Sequence, residues 1–171
     1  MVKILGGCMI LIATYLFGLK IMEPEAQHIQ LLEEGDLLYR ILESEIRNTG
    51  TPLPILFGEL SDRTKTLWHN FFFELSVVLS QNTEESFVTI YERILKKVWK
   101  EKFSEEEQQL FLNVGRNLLS DDIYYQQEET KQLSIHLNEK IHQMKKEYIG
   151  KKKVVLVFCI CMGILTVILL F

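Results

Sequence analysis

Two uncharged stretches close this chain at its ends, and they constrain its fold more than any other feature. Ile4 to Leu19 gives 16 residues without a charge and Val154 to Phe171 gives 18. At the helical rise these reach roughly 24 and 27 Å, against a hydrocarbon core of about 30 Å. Letting Lys20 snorkel to the interface extends the first stretch through Ile21 and Met22. The sequence therefore predicts two membrane-crossing helices, residues 1–22 and 151–171 with its basic flank, around a domain over 23–150.

Charge is segregated in the same way. Residues 22–150 carry 14 Lys and Arg against all 23 Asp and Glu, a local net of −9, which excludes nucleic acid as a partner. Lys145, Lys146, Lys151, Lys152 and Lys153 crowd the entry to the second apolar stretch, and Lys20 marks the exit of the first. Lys20, Lys151, Lys152 and Lys153 are the expected membrane boundary, and the positive-inside tendency places the domain in the cytoplasm. Gly18-Leu19-Lys20-Ile21-Met22-Glu23 offers no small-residue cleavage pattern, so the first stretch reads as an anchor rather than a cleaved leader. Cys8, Cys159 and Cys161 all fall in the apolar ends, which is no disulfide framework.

The domain reads as helix throughout. Helices are predicted near 25–48, 53–62, 65–81, 84–101, 105–119 and 122–150, the last running on into the second crossing. The fold class is all-α, a six-helix bundle between two terminal spans. Gly50 suits a helix stop, Thr51-Pro52 an N-cap followed by Pro at the first helical position, and Ser104-Glu105-Glu106-Glu107 a capping box. Ile123, Thr130, Leu133, Leu137, Ile141, Met144 and Tyr148 form one seam on the last helix, matched by Leu31, Leu38, Ile41 and Leu42 on the first, so the two should pair antiparallel.

Polar residues interrupt these seams. Glu45 projects into the stripe of Ile41 and Leu42, and Gln126 into that of Leu137. Partial burial of Glu45 requires a donor from within the chain or from a docked protein. Glu43 points about 200° away from Glu45 and suits an i+4 pair with Arg47. Trp68, Phe71, Phe72, Phe73, Leu75, Val77, Val78 and Leu79 nearly encircle their helix, marking it as central, with Phe73 and Val77 as the residues that oligomerisation would cover. Arg93, Lys96, Lys97, Lys100 and Lys102 read as a solvated basic face. No Walker loop, HExxH, nucleophile elbow or zinc-like spacing is present, and His28, His69, His136 and His142 are scattered. No enzymatic chemistry, metal or cofactor is expected.

Leu42-Glu43-Ser44-Glu45-Ile46, Gly50-Thr51-Pro52-Leu53-Pro54, and Val114-Gly115-Arg116-Asn117-Leu118 with Asp122 and Gln126, set between two terminal apolar stretches, resemble the stage III sporulation protein AB family. Leu119 stands where that family usually has Gly. The resemblance implies a component of the channel complex between mother cell and forespore in endospore formation. It further implies a cytoplasmic domain similar to one repeat of the F-type platform proteins of type II secretion and type IV pilus machines. The implied partners are a hexameric ATPase (stage III sporulation protein AA), the other membrane proteins of the complex, and further copies of the chain. Glu43, Glu45, Pro52, Leu53, Pro54, Gly115, Asp122 and Gln126 are the interface candidates. The implied location is the outer forespore membrane, with the domain in the mother-cell cytoplasm. A membrane-anchored signalling adaptor without a channel role is the alternative.

Overall fold

The computed structural model describes residues 2–49, 51–81, 85–99, 102–118 and 123–170; side chains at 2–4, 47, 49, 117, 123–130 and 133 are not described. Among the described residues six α-helices are present: α1 Val2–Thr49, α2 Leu53–Asp62, α3 Leu67–Ser80, α4 Phe87–Trp99, α5 Glu105–Asn117 and α6 Ile123–Leu170. The all-α expectation holds. The last helix runs without a break into the apolar end, as its lack of Pro before Lys153 predicts. The first does the same although Pro24 lies inside it. Pro24 supplies no N–H to the carbonyl four residues back, yet helical geometry persists on both sides.

The helix starts follow from local chemistry. At α5 the Ser104 hydroxyl accepts from Glu107 N at 3.3 Å, and the Glu107 carboxylate accepts from Ser104 N at 2.8 Å, completing the capping box. Thr66 caps α3 by accepting from Trp68 N. The start of α2 corrects the expectation for Thr51. Pro52, with φ −57° and ψ 134°, is the N-cap, and its carbonyl accepts from Ile55 N at 3.0 Å and Leu56 N at 3.1 Å. Pro54 removes one of the two N–H groups that an N-cap hydroxyl at Thr51 could use, leaving that of Leu53. The stop at Gly50 and the turn at Leu119 lie outside the described residues.

The chain divides into two compact units. In the unit of residues 31–139, helices α2 to α5 and the bundle portion of α1 enclose an aromatic core of Tyr39, Phe57, Trp68, Phe71, Phe72, Phe87, Tyr91, Trp99, Phe103 and Phe111, each at most 9% exposed. Trp68 and Trp99 pack edge to face with centroids 4.4 Å apart, and Trp68 meets Phe111 at 5.2 Å. These contacts place α3 at the centre, as its encircling apolar residues predict. Burial of each large ring contributes about 1.5–3 kcal/mol, so the aromatic packing supplies a large share of the stability of this unit, beside buried aliphatics such as Leu32, Leu42, Leu60 and Leu75. The Trp68 indole donates to Leu31 O at 2.8 Å. Trp99 Nε1 is buried without a hydrogen-bond acceptor among the described residues.

The second unit pairs residues 1–30 with 140–171. Here α1 and α6 run antiparallel in a fixed register. A Cβ at Gly7 would lie 3.5 Å from Val167 Cγ1, and one at Gly18 would lie 3.2 Å from both Cys159 Sγ and Leu156 Cδ2. Gly163 packs as closely against Thr14 and Leu11. Small residues let two backbones approach where lipid supplies no hydrophobic drive. Leu5–Ile46 and Ser134–Leu170 are each long and apolar enough to cross a membrane.

Candidate functional site

The candidate residues fall on three neighbouring pieces of the bundle. Leu42 is buried on α1, while Glu43, Ser44, Glu45 and Ile46 are half-buried around it. That matches the intermediate burial expected for Glu45, which is engaged within the chain. Glu43 keeps its half-buried place; its expected partner Arg47 has no described side chain. Pro52 is exposed, whereas Leu53 and Pro54 are half-buried, and the Pro54 carbonyl accepts the Ser76 hydroxyl at 2.8 Å. Pro54 therefore ties the start of α2 to α3. Asp122 lies outside the described residues, and the side chain of Gln126 is likewise outside them.

Gly115 is buried on α5 directly beneath the Tyr91 ring, which a Cβ would overlap. Tyr91 donates to Phe111 O at 3.0 Å and hydrogen-bonds the hydroxyl of Tyr39. Tyr39 lies one helical turn before Glu43. The two sequence motifs, distant along the chain, are thus joined through Tyr39 and Tyr91. Both phenols are pushed above the ordinary value by burial, and for Tyr39 the adjacent Tyr91 adds to the effect. The pair stays neutral and structural. Sequence reasoning passed over these tyrosines, although a Tyr between Leu38 and Leu42 signals a buried hydroxyl that needs a partner.

A second polar knot forms around Thr64. The Thr64 hydroxyl donates to the Glu34 carboxylate, and accepts from Thr66 N at 3.2 Å. Gly35, next to Glu34, lies under Trp68, whose ring a Cβ would overlap.

Surface features sort as the charge pattern implies. On α4, Arg93 pairs with Glu85 at 2.8 Å, Lys96 with Glu92 at 2.8 Å and Lys97 with Glu74 at 2.6 Å, a solvated face. Lys96 holds the Glu92 carboxyl below the ordinary value through their hydrogen bond. Phe73 and Val77 are exposed, at 54% and 40%, with Ile55 at 56%. At the basic flank, Lys151 pairs with Glu25 at 2.7 Å, which raises its pKa, and Lys152 lies 5.6 Å over the Tyr148 ring. Lys20 and Lys153 are exposed. Among the described residues no three His, Cys, Asp or Glu side chains converge on one point.

The fold and its surfaces define an all-α protein with an aromatic-cored helical bundle and two terminal helices of membrane-crossing length and composition. Its family model is more specific: that of stage III sporulation protein AB matches residues 3–171, so the chain belongs to this sporulation family. A solved structure of stage III sporulation protein AB (SpoIIIAB) superimposes with a TM-score of 0.67 at 22% identity, covering 72% of this chain and 97% of that one. Comparison with curated proteins finds no match.

Proposed function

We propose that this protein is a non-catalytic membrane platform of the channel complex between mother cell and forespore, spanning the membrane twice and docking a secretion-type ATPase on its cytoplasmic bundle. One observation carries the reading. α1 and α6 are each unbroken over 48 residues, and each joins an apolar stretch of membrane-crossing length to residues that pack in the bundle unit. An adaptor that only recruits a regulator has no use for two such helices. The lysines flanking Gly150 support placing the bundle in the mother-cell cytoplasm, at the outer forespore membrane.

The partners in this reading are stage III sporulation protein AA, the remaining membrane proteins of the complex, and further copies of the chain. The docking surface in this reading comprises Glu43, Glu45, Pro52, Leu53 and Pro54, with Asp122 and Gln126 from the second motif, while Gly115, buried beneath Tyr91, supports that motif from inside the bundle. The apolar side chains of Phe73 and Val77 support self-association, because a platform protein with two such repeats would cover them internally.

The test is insertion of a flexible Gly/Ser segment after Gly150, combined with affinity isolation from sporulating cells. Sporulation should fail while the protein still accumulates in the membrane, and the unaltered protein should retain the ATPase and channel subunits. Normal sporulation with the insertion, or isolation without the ATPase, counts against the platform.

A further inference from the structure

The outward face of α6 carries a feature that neither the bundle nor the α1 contact uses. Lys153, Val154, Val157, Phe158 and Cys161 line a groove of about 420 Å³. Its walls are apolar apart from Lys153 at one end, and Val154, Val157 and Phe158 are 71%, 60% and 66% exposed. At 100° per residue this face lies opposite Cys159 and Gly163, which meet α1. One turn before the groove, Gly150 opens onto space, with nothing within 4 Å of where its Cβ would stand. Lys146 and Lys153 flank that opening on the same face, seven residues apart and both exposed.

The two lysines also differ from their neighbours. Lys151 is committed to Glu25 and Lys152 to the Tyr148 ring. Neither Lys146 nor Lys153 makes an ion pair among the described residues. Two uncompensated ammonium groups around a vacant patch, continuing directly into an apolar trough, match an amphiphile with an anionic head. The order matters: the charge lies at the N-terminal end of this stretch of α6, and the trough runs toward its C-terminal end. A phospholipid in the leaflet nearest the bundle presents phosphate and acyl chain in that same order. Free phosphate would leave the trough empty.

We propose that Lys146 and Lys153, straddling Gly150, bind the phosphate of an anionic phospholipid whose acyl chain lies along Val154, Val157, Phe158 and Cys161. The proposal rests on reading α6 as a membrane span. Its role would be to hold the chain in membrane rich in anionic lipid.

The test uses the full chain in phosphatidylcholine vesicles containing a minority of phosphatidylglycerol, probed with photoreactive phosphatidylglycerol or photoreactive phosphatidylcholine. Labelling should concentrate on residues 154–161 and favour the anionic probe. In the double variant Lys146→Gln, Lys153→Gln the preference should fall roughly 30-fold. Gly150→Leu, which fills the opening while keeping both charges, should also reduce it. Equal labelling by the two probes overturns the proposal, as does efficient Cys161 to Cys161 crosslinking in place of lipid labelling, which would mean that a second copy covers the groove. Protease protection of α6 in the same vesicles separates the two levels. If α6 is protected and the probes label equally, only the lipid site falls; if α6 is digested, the two-span reading falls with it.

Discussion

Tyr39 of α1 and Tyr91 of α4 meet through their hydroxyls inside the bundle core, and Tyr91 passes its own proton toward Phe111 O. The bond therefore has a direction: Tyr39 donates and Tyr91 accepts. Tyr91→Phe leaves the Tyr39 hydroxyl buried without an acceptor and should cost about 1–3 kcal/mol. Tyr39→Phe leaves Tyr91 bonded to Phe111 O and should cost about 1 kcal/mol or less. The double variant should lose less than the sum of the two. Urea unfolding of the full chain in detergent, followed by tryptophan fluorescence, checks the order. A larger loss for Tyr39→Phe would reverse the assigned direction.

The same pair predicts an alkaline limit. Both phenols have folded-state pKa values raised above the ordinary 10.0, chiefly by burial. Above that pH the unfolded chain releases protons that the folded chain retains. The stability they contribute is thus fully present below pH 10 and declines as pH rises beyond it, by roughly 1.4 kcal/mol per pH unit for each tyrosine. Unfolding midpoints measured between pH 9 and 11, on an assumed range of about two units around the free phenol value, should fall less steeply in the Tyr39→Phe, Tyr91→Phe variant. Identical slopes would show that other groups set the limit.

Three glycines should respond differently to alanine. Gly115→Ala and Gly35→Ala push a methyl into the rings of Tyr91 and Trp68 and should each cost about 1–3 kcal/mol or more. At Gly58 the new methyl would sit 3.3 Å from the Ser76 hydroxyl, which is held by Pro54 O and must give by a few tenths of an ångström, so the helical preference for alanine, up to about 1 kcal/mol, should be offset and leave Gly58→Ala close to neutral. Thermal unfolding monitored by circular dichroism ranks the three.

The register of the terminal helices can be trapped chemically. With native cysteines replaced, Gly7→Cys and Val167→Cys should form a disulfide in membranes on mild oxidation. Adding Gly163→Leu, which forces a side chain against Thr14 and Leu11, should cut the yield several-fold. Unchanged yield would indicate that the small residues do not govern the approach of the two helices.

What the sequence disclosed was mostly local. Ser104 and Glu107 lie three residues apart, so their mutual capping could be read directly, and the lack of Pro before Lys153 announced α6 as unbroken, whereas the passage of α1 through Pro24 was not announced by its seam. Thr51 misled because the helix starts one residue later than its capping pattern suggests, with Pro52 as the N-cap. The core pairings were out of reach for a different reason. Tyr39 and Tyr91 are 52 residues apart, and Trp68 joins Leu31 across 37; nothing in either neighbourhood names the other. Gly115 was visible as part of a motif, but the aromatic ring that demands its missing side chain was not. The exposure of Phe73 and Val77 was legible, since a helix apolar on all sides cannot hide every residue in a small bundle.

The meshing of Gly7, Gly18 and Gly163 with the opposite helix also limits how the chain can change length. One residue added between Gly7 and Gly18 would swing everything beyond it by about 100° and aim Phe17 where the bare backbone now meets Cys159. Adapting to a thicker bilayer therefore calls for matched edits in both helices, in steps of roughly seven residues. Designers who wish to move this protein between membranes have that arithmetic to respect.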